Sequence, residues 1–215
     1  MNGFFITFEG IEGCGKTTQI RLLAKGLKEG GREVVLTREP GGTEIGERIR
    51  AVLLDASSCG MSPITDLMLY GAARNQHVRE VIRPALERGA VVLCDRYADA
   101  TTAYQGAARR IDVKTIDEVH RVATEGVWPQ LTLLLDMPAS EGLSRARERN
   151  LHEDIAGRED RFEREELDFH ERVRSGYLAI AKREPSRVVI VDAGRSIEDM
   201  QAKIASVVEK ALSKK

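Results

Sequence analysis

Gly10-Ile11-Glu12-Gly13-Cys14-Gly15-Lys16-Thr17 has the spacing G-x-x-x-x-G-K-[S/T]. Its glycines let the backbone curl until successive N–H groups converge on phosphate oxygens, and the positive end of the helix that follows adds to the same field. Lys16 supplies a point charge for the outer phosphates, and the Thr17 hydroxyl is placed to ligate Mg²⁺. The pattern implies a bound nucleoside triphosphate, with Gly10 to Thr18 as the loop that holds it. Glu12 is the odd member, because a carboxylate among phosphate charges is unfavourable without a partner. It either turns to solvent or faces a second substrate, accepting from a sugar hydroxyl or an arginine.

Asp95-Arg96 ends an apolar run. Asp95 is the natural acidic partner for Mg²⁺, directly or through water, and Arg96 would neutralise an acceptor phosphate. A structural ion pair is the other reading of these two. Arg50 and Arg74 have no motif around them and read by default as surface charges. Tyr70, Arg74 and His77 fall close to one helical face, and Thr101, Tyr104 and Gln105 share another. Arg145, Arg147 and Arg149 are followed by an apolar-poor stretch carrying Arg158, Arg161 and Arg164. That stretch reads either as a solvated charge run or as a flap over the site, and its place after the fourth apolar run favours a lid at about 145–164. Asp136, before Met137-Pro138, is a helix cap or a ligand. The four histidines, 77, 120, 152 and 170, lack metal-ligand spacing and read as structural or surface residues. A donor loop, Mg²⁺, a second anion site and closing arginines suffice to move a phosphoryl group onto a phosphate acceptor. Such an acceptor is already ionised, so no general base is required.

The elements that must position these groups are legible as apolar runs. Phe4–Phe8, Glu33–Leu36, Ala90–Cys94, Leu131–Leu135 and Val188–Val191 do not alternate with polar residues, so both faces of each are expected to be covered. Stretches of helical period separate them, which predicts an α/β fold with a parallel sheet. Each run ends in a polar residue, Glu9, Thr37-Arg38, Asp95, Asp136 or Asp192, and ligands of open parallel sheets sit beyond the carboxyl ends of the strands. Ile20, Leu23, Ala24 and Leu27 place a helix after the phosphate loop, stopped by Gly30-Gly31. Thr43 is set to cap a helix through Leu54, a loop is expected from Asp55 to Pro63, and Asp66 to Arg88 reads as one long helix kinked or shortened by Pro84. Further helices are expected at 98–110, 113–125, 140–149, 162–180 and 197–212.

The 215 residues suit one domain, 1–215, with no linker or repeat. A net charge of −1 creates no global field for nucleic acid or an anionic membrane, so neither is an expected partner. Cys14, Cys59 and Cys94 are odd in number and lack CxxC spacing, as suits reduced thiols in a cytoplasmic protein. No apolar run approaches a membrane span, and the start of the chain has no export signal.

With these residues laid out, the chain resembles the thymidylate kinases of the bacterial kind, within the nucleoside-monophosphate kinases. The likeness rests on Phe8-Glu9-Gly10 leading into the phosphate loop, Arg38-Glu39-Pro40-Gly41-Gly42-Thr43, Ala72-Ala73-Arg74, Gln76-His77, Asp95-Arg96-Tyr97, Ala103-Tyr104-Gln105-Gly106, Leu135-Asp136 and Asp160-Arg161-Phe162-Glu163. It implies a P-loop NTPase fold, a five-stranded parallel sheet with helices on both faces and an Arg-rich lid, in a homodimer. It implies transfer of phosphate from ATP to dTMP with Mg²⁺.

The resemblance also implies roles. Gly10, Ile11, Glu12, Gly13, Cys14, Gly15, Lys16, Thr17 and Thr18 bind ATP, with Thr17 and Asp95 at the metal. Glu12 meets the sugar and phosphate end of dTMP, and Glu39 lies on the substrate side. Arg50 and Arg96 hold the acceptor phosphate, Arg74 reaches the thymine carbonyl and Tyr70 stacks on the base. Thr101 and Gln105 read the thymine edge, and Tyr104 lies under the deoxyribose where a 2′-hydroxyl would crowd it. Gly13 stands where some members carry a catalytic arginine, so Arg149, Arg158 and Arg161 are the candidates to join Lys16, Arg96 and Glu12 in the chemistry. The rivals are a kinase for another monophosphate or for a deoxynucleoside, with Glu39 as base, and an NTPase switch acting through partner binding.

Overall fold

The computed structural model describes residues 2–152, 161–162 and 165–213. Its sheet has five parallel strands, β1 (Phe4–Glu9), β2 (Val34–Arg38), β3 (Val91–Asp95), β4 (Leu131–Asp136) and β5 (Val188–Asp192), in the order β2-β3-β1-β4-β5. β1 is buried along its whole length because it has hydrogen-bonded neighbours on both edges and helices on both faces. Its side chains alternate between the two layers. Phe4, Ile6 and Phe8 join the larger core, and Phe5 joins a smaller one with Val78, Ile82, Val92 and Tyr97. The register places Phe8 beside Asp95, Arg38 beside Asp95 and Asp136 beside Asp192, so the strands end their polar termini along one rim. The expectation of full cover holds for β1, β3 and β4. It fails at the edge strands, where Leu36 is 43% and Ile190 47% exposed, because each has a hydrogen-bonded neighbour on one side only.

Helix α1 (Lys16–Glu29) begins at Gly15, whose φ of 88° is open to glycine at little cost, and stops at Gly30. In α2 (Glu44–Leu54) the Thr43 hydroxyl accepts from the Gly46 N–H, as its cap position predicted. The stretch after Asp55 is not an open loop but contains a 3₁₀ turn, Ala56–Gly60. The long helix expected at 66–88 runs without interruption from Pro63 to Glu87 but changes pitch within it. Helix α3 (Pro63–His77) gives way to a wide π-helical turn at Val78–Ile82 before α4 (Arg83–Glu87). Pro84 has no N–H to continue the ladder and its ring clashes one turn back, so the irregularity falls upstream of it. Helix α5 (Ala98–Thr101) likewise opens into a wide turn at Thr102–Ala108. Helices α6 (Val113–Thr124), α7 (Ala139–His152), α8 (Leu167–Arg183) and α9 (Ile197–Leu212) complete the layers. The first part of the expected lid, through His152, is thus the end of α7. Arg158 and Arg164 lie outside the described residues, and Arg149 is in α7.

Candidate active site

The phosphate loop is curled as its glycines require, with φ of 134° at Gly10 and 72° at Gly13. A Cβ on Gly13 would sit 2.0 Å from the Gly142 carbonyl of α7, so no larger residue fits there. Ile11 and Cys14 are buried in the core, and the Cys14 sulfur also accepts from Lys16 Nζ at 3.5 Å. Lys16 Nζ donates to the carbonyls of Gly10 at 3.1 Å and Ile11 at 2.8 Å, held within the loop. Thr17 Oγ1 donates to Asp95 Oδ2 at 3.2 Å, so the β3 terminus and the start of α1 meet. This hydroxyl and carboxylate are hard oxygen donors of the kind Mg²⁺ takes. Thr18 is exposed and lies outside the cavity wall.

Beside the loop lies Arg96, whose backbone adopts φ 70°, a left-handed conformation uncommon for a residue with a side chain. Its N–H bonds to the Phe8 carbonyl at 2.9 Å, so the chain turns sharply at the rim and the guanidinium folds back over the loop. Nη1 donates to Gly10 O at 2.9 Å and to the Tyr177 hydroxyl at 3.0 Å, while Nη2 reaches Glu12 Oε1 at 3.1 Å. The Tyr104 hydroxyl also donates to Glu12 Oε1, at 2.5 Å, and its ring lies 4.9 Å beneath the Arg96 guanidinium. His170 Nδ1 is 3.3 Å from Glu12 Oε2. Glu12 is therefore turned inward, away from solvent. Burial opposes its charge, but His170, the Arg96 and Lys16 cations and the Tyr104 hydroxyl together hold its carboxyl below the usual carboxylate range. Glu9, the last residue of β1, is the contrasting case. Its oxygens accept from the Tyr97 N–H at 2.7 Å and the Tyr177 hydroxyl at 2.7 Å, yet burial, helped by the charge of Asp99, pushes its carboxyl up to about 8.

The far end of the cavity is built around Arg74, which is 1% exposed. Its Nε donates to Glu39 Oε2 at 2.8 Å, and Nη2 donates to Thr101 Oγ1 at 3.0 Å and Tyr97 O at 3.1 Å. Its Nη1 has no partner among the described residues. Glu39 Oε1 lies 3.0 Å from His77 Nδ1, and His77 Nε2 is 2.6 Å from Thr37 Oγ1. Gln105 Nε2 donates to Asp66 Oδ2 at 2.7 Å. Arg50 Nη1 donates to the Pro40 carbonyl at 3.0 Å.

Glu12, Gly13, Lys16, Thr17, Glu39, Arg50, Tyr70, Arg74, Asp95, Arg96, Thr101, Tyr104 and Gln105 line one open cavity of about 620 Å³. Phe162 closes part of its wall, with its ring edge-on to Tyr104 at 5.4 Å. Arg161 is placed elsewhere. Its Nη1 donates to Asp66 Oδ1 at 2.6 Å and Leu53 O at 2.9 Å, facing a second cavity of about 310 Å³. Asp136 is neither cap nor pocket ligand, since both its oxygens are bound by Arg174, at 2.8 and 3.0 Å. Sequence reasoning gave no individual site role to Glu9, Asp66, Tyr97 or Tyr177, and read His77 and His170 with the other histidines as structural or surface residues. The one available signal was Glu9, a carboxylate ending an apolar strand.

The family model described as thymidylate kinase matches residues 8–204. The thymidylate kinase of Geotalea uraniireducens is 52% identical over 206 residues, covering 96% of this chain and 96% of its own. That of Geobacter sulfurreducens is 53% identical over 205 residues, covering 95% of this chain and 96% of its own. A crystal structure of thymidylate kinase from Ehrlichia chaffeensis matches with a TM-score of 0.77 at 34% identity, covering 97% of this chain and 99% of that one. A match of this length, over a cavity that joins the phosphate loop to a set of arginines, means that the chain belongs to the thymidylate kinase family.

Proposed function

We propose that the chain transfers the γ-phosphoryl group of ATP to dTMP, giving dTDP and ADP. The observation that supports it most is that Arg50, Arg74 and Arg96 share one cavity with Lys16 and Thr17. Two anionic nucleotides can then meet with their phosphates between the loop and the guanidinium groups. Lys16 leaves its carbonyl contacts for the outer phosphates of ATP, and Arg96 and Arg50 hold the acceptor phosphate. Mg²⁺, held at Thr17 and Asp95, would neutralise charge on the transferred group. Glu12 keeps Arg96 in place and meets the sugar end, with Tyr104 below the deoxyribose. Tyr70 stacks on the base, and the unpartnered Nη1 of Arg74 donates to the pyrimidine 4-oxo group. Among the lid arginines, the engagement of Arg161 with Asp66 leaves Arg149 and Arg158 as the candidates for the transferring phosphate. The whole of 1–215 acts as one kinase domain, working in the cytoplasm, where its buried Cys14 and Cys94 stay reduced.

A nucleoside kinase would need Glu39 as a base, yet both of its oxygens are engaged, by Arg74 and His77. The deciding measurement is ADP release with dTMP, dUMP, dCMP, UMP, thymidine or water as acceptor. Fast turnover with dTMP is expected, dCMP is rejected because its amino group meets the Arg74 donor, and UMP is slowed by its 2′-hydroxyl. Turnover with thymidine but not dTMP, or turnover independent of acceptor, would refute the reading.

Exposed apolar side chains also cluster on neighbouring helices, Val52 on α2, Ile64 and Met68 on α3, and Val113 and Val122 on α6. A second copy of the chain is the proposed cover, giving a homodimer.

A further inference from the structure

Asp66 stands behind the base end of the cavity, outside its wall, and meets two donors at once. Arg161 Nη1 donates to Oδ1 at 2.6 Å and Gln105 Nε2 donates to Oδ2 at 2.7 Å. All three side chains are buried, Asp66 and Gln105 at 1% exposure and Arg161 at 8%. The guanidinium is fixed a second time by Leu53 O, so it cannot swing away cheaply. A carboxylate paired with an arginine has only acceptors to offer. The Gln105 carboxamide must therefore turn its NH₂ towards Asp66, which leaves its oxygen for the cavity that Gln105 lines. Next to it, Thr101 Oγ1 accepts from Arg74 Nη2, so the hydroxyl proton of Thr101 is free to be donated. The wall thus offers donors from Arg74 and Thr101 beside a single acceptor from Gln105.

We propose that Asp66 and Arg161 are specificity-positioning residues, which lock the Gln105 carboxamide with its oxygen towards the nucleobase. A base carrying a proton on N3, as thymine and uracil do, then finds an acceptor there. A base with a bare N3 lone pair, as cytosine has, meets another lone pair and is refused. Arg161 on this assignment acts through Asp66 and Gln105, not on the transferring phosphate. The assignment rests on the reading of the cavity as a pyrimidine monophosphate site.

The test is Asp66→Asn, with kcat and KM measured for dTMP, dCMP and ATP beside the unchanged enzyme. The substitution exchanges one acceptor for an N–H donor. Arg161 claims the remaining oxygen, the new donor faces Gln105, and the carboxamide has to invert. The expected result is a drop of roughly 10- to 100-fold in kcat/KM for dTMP, with a comparable fall in the preference for dTMP over dCMP and no change in the KM for ATP. An equal loss with dTMP and dCMP, preference intact, would overturn the proposal, because a merely structural role acts in that way. If Asp66→Asn does not fold, Arg161→Ala decides. It should raise the KM for dTMP about tenfold and erode the preference with a smaller effect on kcat. A hundredfold loss of kcat at unchanged KM would instead make Arg161 a transition-state contact and refute the assignment. Failure of the unchanged enzyme to use dTMP at all would count against the proposed function, separately from both outcomes.

Discussion

Glu9 and Glu12 are three residues apart and sit in opposite electrostatic states. Glu12 is surrounded by donors and cations that outweigh its burial, whereas at Glu9 burial and the charge of Asp99 outweigh the Arg96 cation and two neutral hydrogen-bond donors. The raised group has a consequence for stability. An unfolded glutamate ionises near 4.5, while Glu9 in the fold holds its proton until about 8. Between these values the folded state binds more protons than the unfolded one, so stability falls as pH rises through that window and levels off above it. The slope from this group is at most about 1.4 kcal/mol per pH unit. Glu9→Gln, a neutral near-isostere whose oxygen can keep the Tyr97 N–H and whose NH₂ would donate to the Tyr177 hydroxyl in the reverse direction, should flatten the decline in urea midpoint between pH 5 and 8. An identical decline in the variant would assign it to other groups. At this scale the phosphate loop was fully legible, because its spacing is local. The partners of Glu9 and Glu12 were not, since Tyr177 and His170 come from the far end of the chain and periodicity carries no information about such a distance.

Among the elements, the buried strands were readable because a central parallel strand must be apolar on both faces. The helices were readable in place but not in pitch. Tyr104 and Gln105 sit in a wide turn closed by Arg109 N–H to Tyr104 O at 2.9 Å, and an apolar stripe does not distinguish that turn from an ordinary one. The contact of α7 with the phosphate loop is a further case. A Cβ on Gly142 would approach the Glu12 carbonyl to 2.6 Å and Ile11 Cδ1 to 2.7 Å. Gly142→Ala should therefore push the loop out, cost about 1–3 kcal/mol in urea denaturation and raise the KM for both nucleotides. Unchanged kinetics with lowered stability would show that α7 gives way and the loop does not.

For the molecule as a whole, the apolar side chains of α2, α3 and α6 need an account, with Met68 60% and Val122 60% exposed. Cover by a second copy predicts that Met68→Glu shifts sedimentation from dimer to monomer, while the fold and ATP binding persist. A single monomeric species in the unchanged protein at micromolar concentration would remove the dimer. Composition gave no hint of this face, because exposed apolar residues are common singly and only packing reveals that the helices carrying them adjoin.

The central place of β1 between β3 and β4 has one more outcome, during synthesis. A nascent chain that has emerged only as far as residue 90 already carries every glycine of the phosphate loop, together with Lys16 and Thr17. Its first strand still lacks both of the neighbours that later flank it. Asp95 and Arg96 have not yet emerged, and the β4 edge arrives only with Leu131. The motif is complete long before the pocket is, so the ribosome releases a sequence able to grip nucleotide only once its middle third has been threaded in beside its beginning.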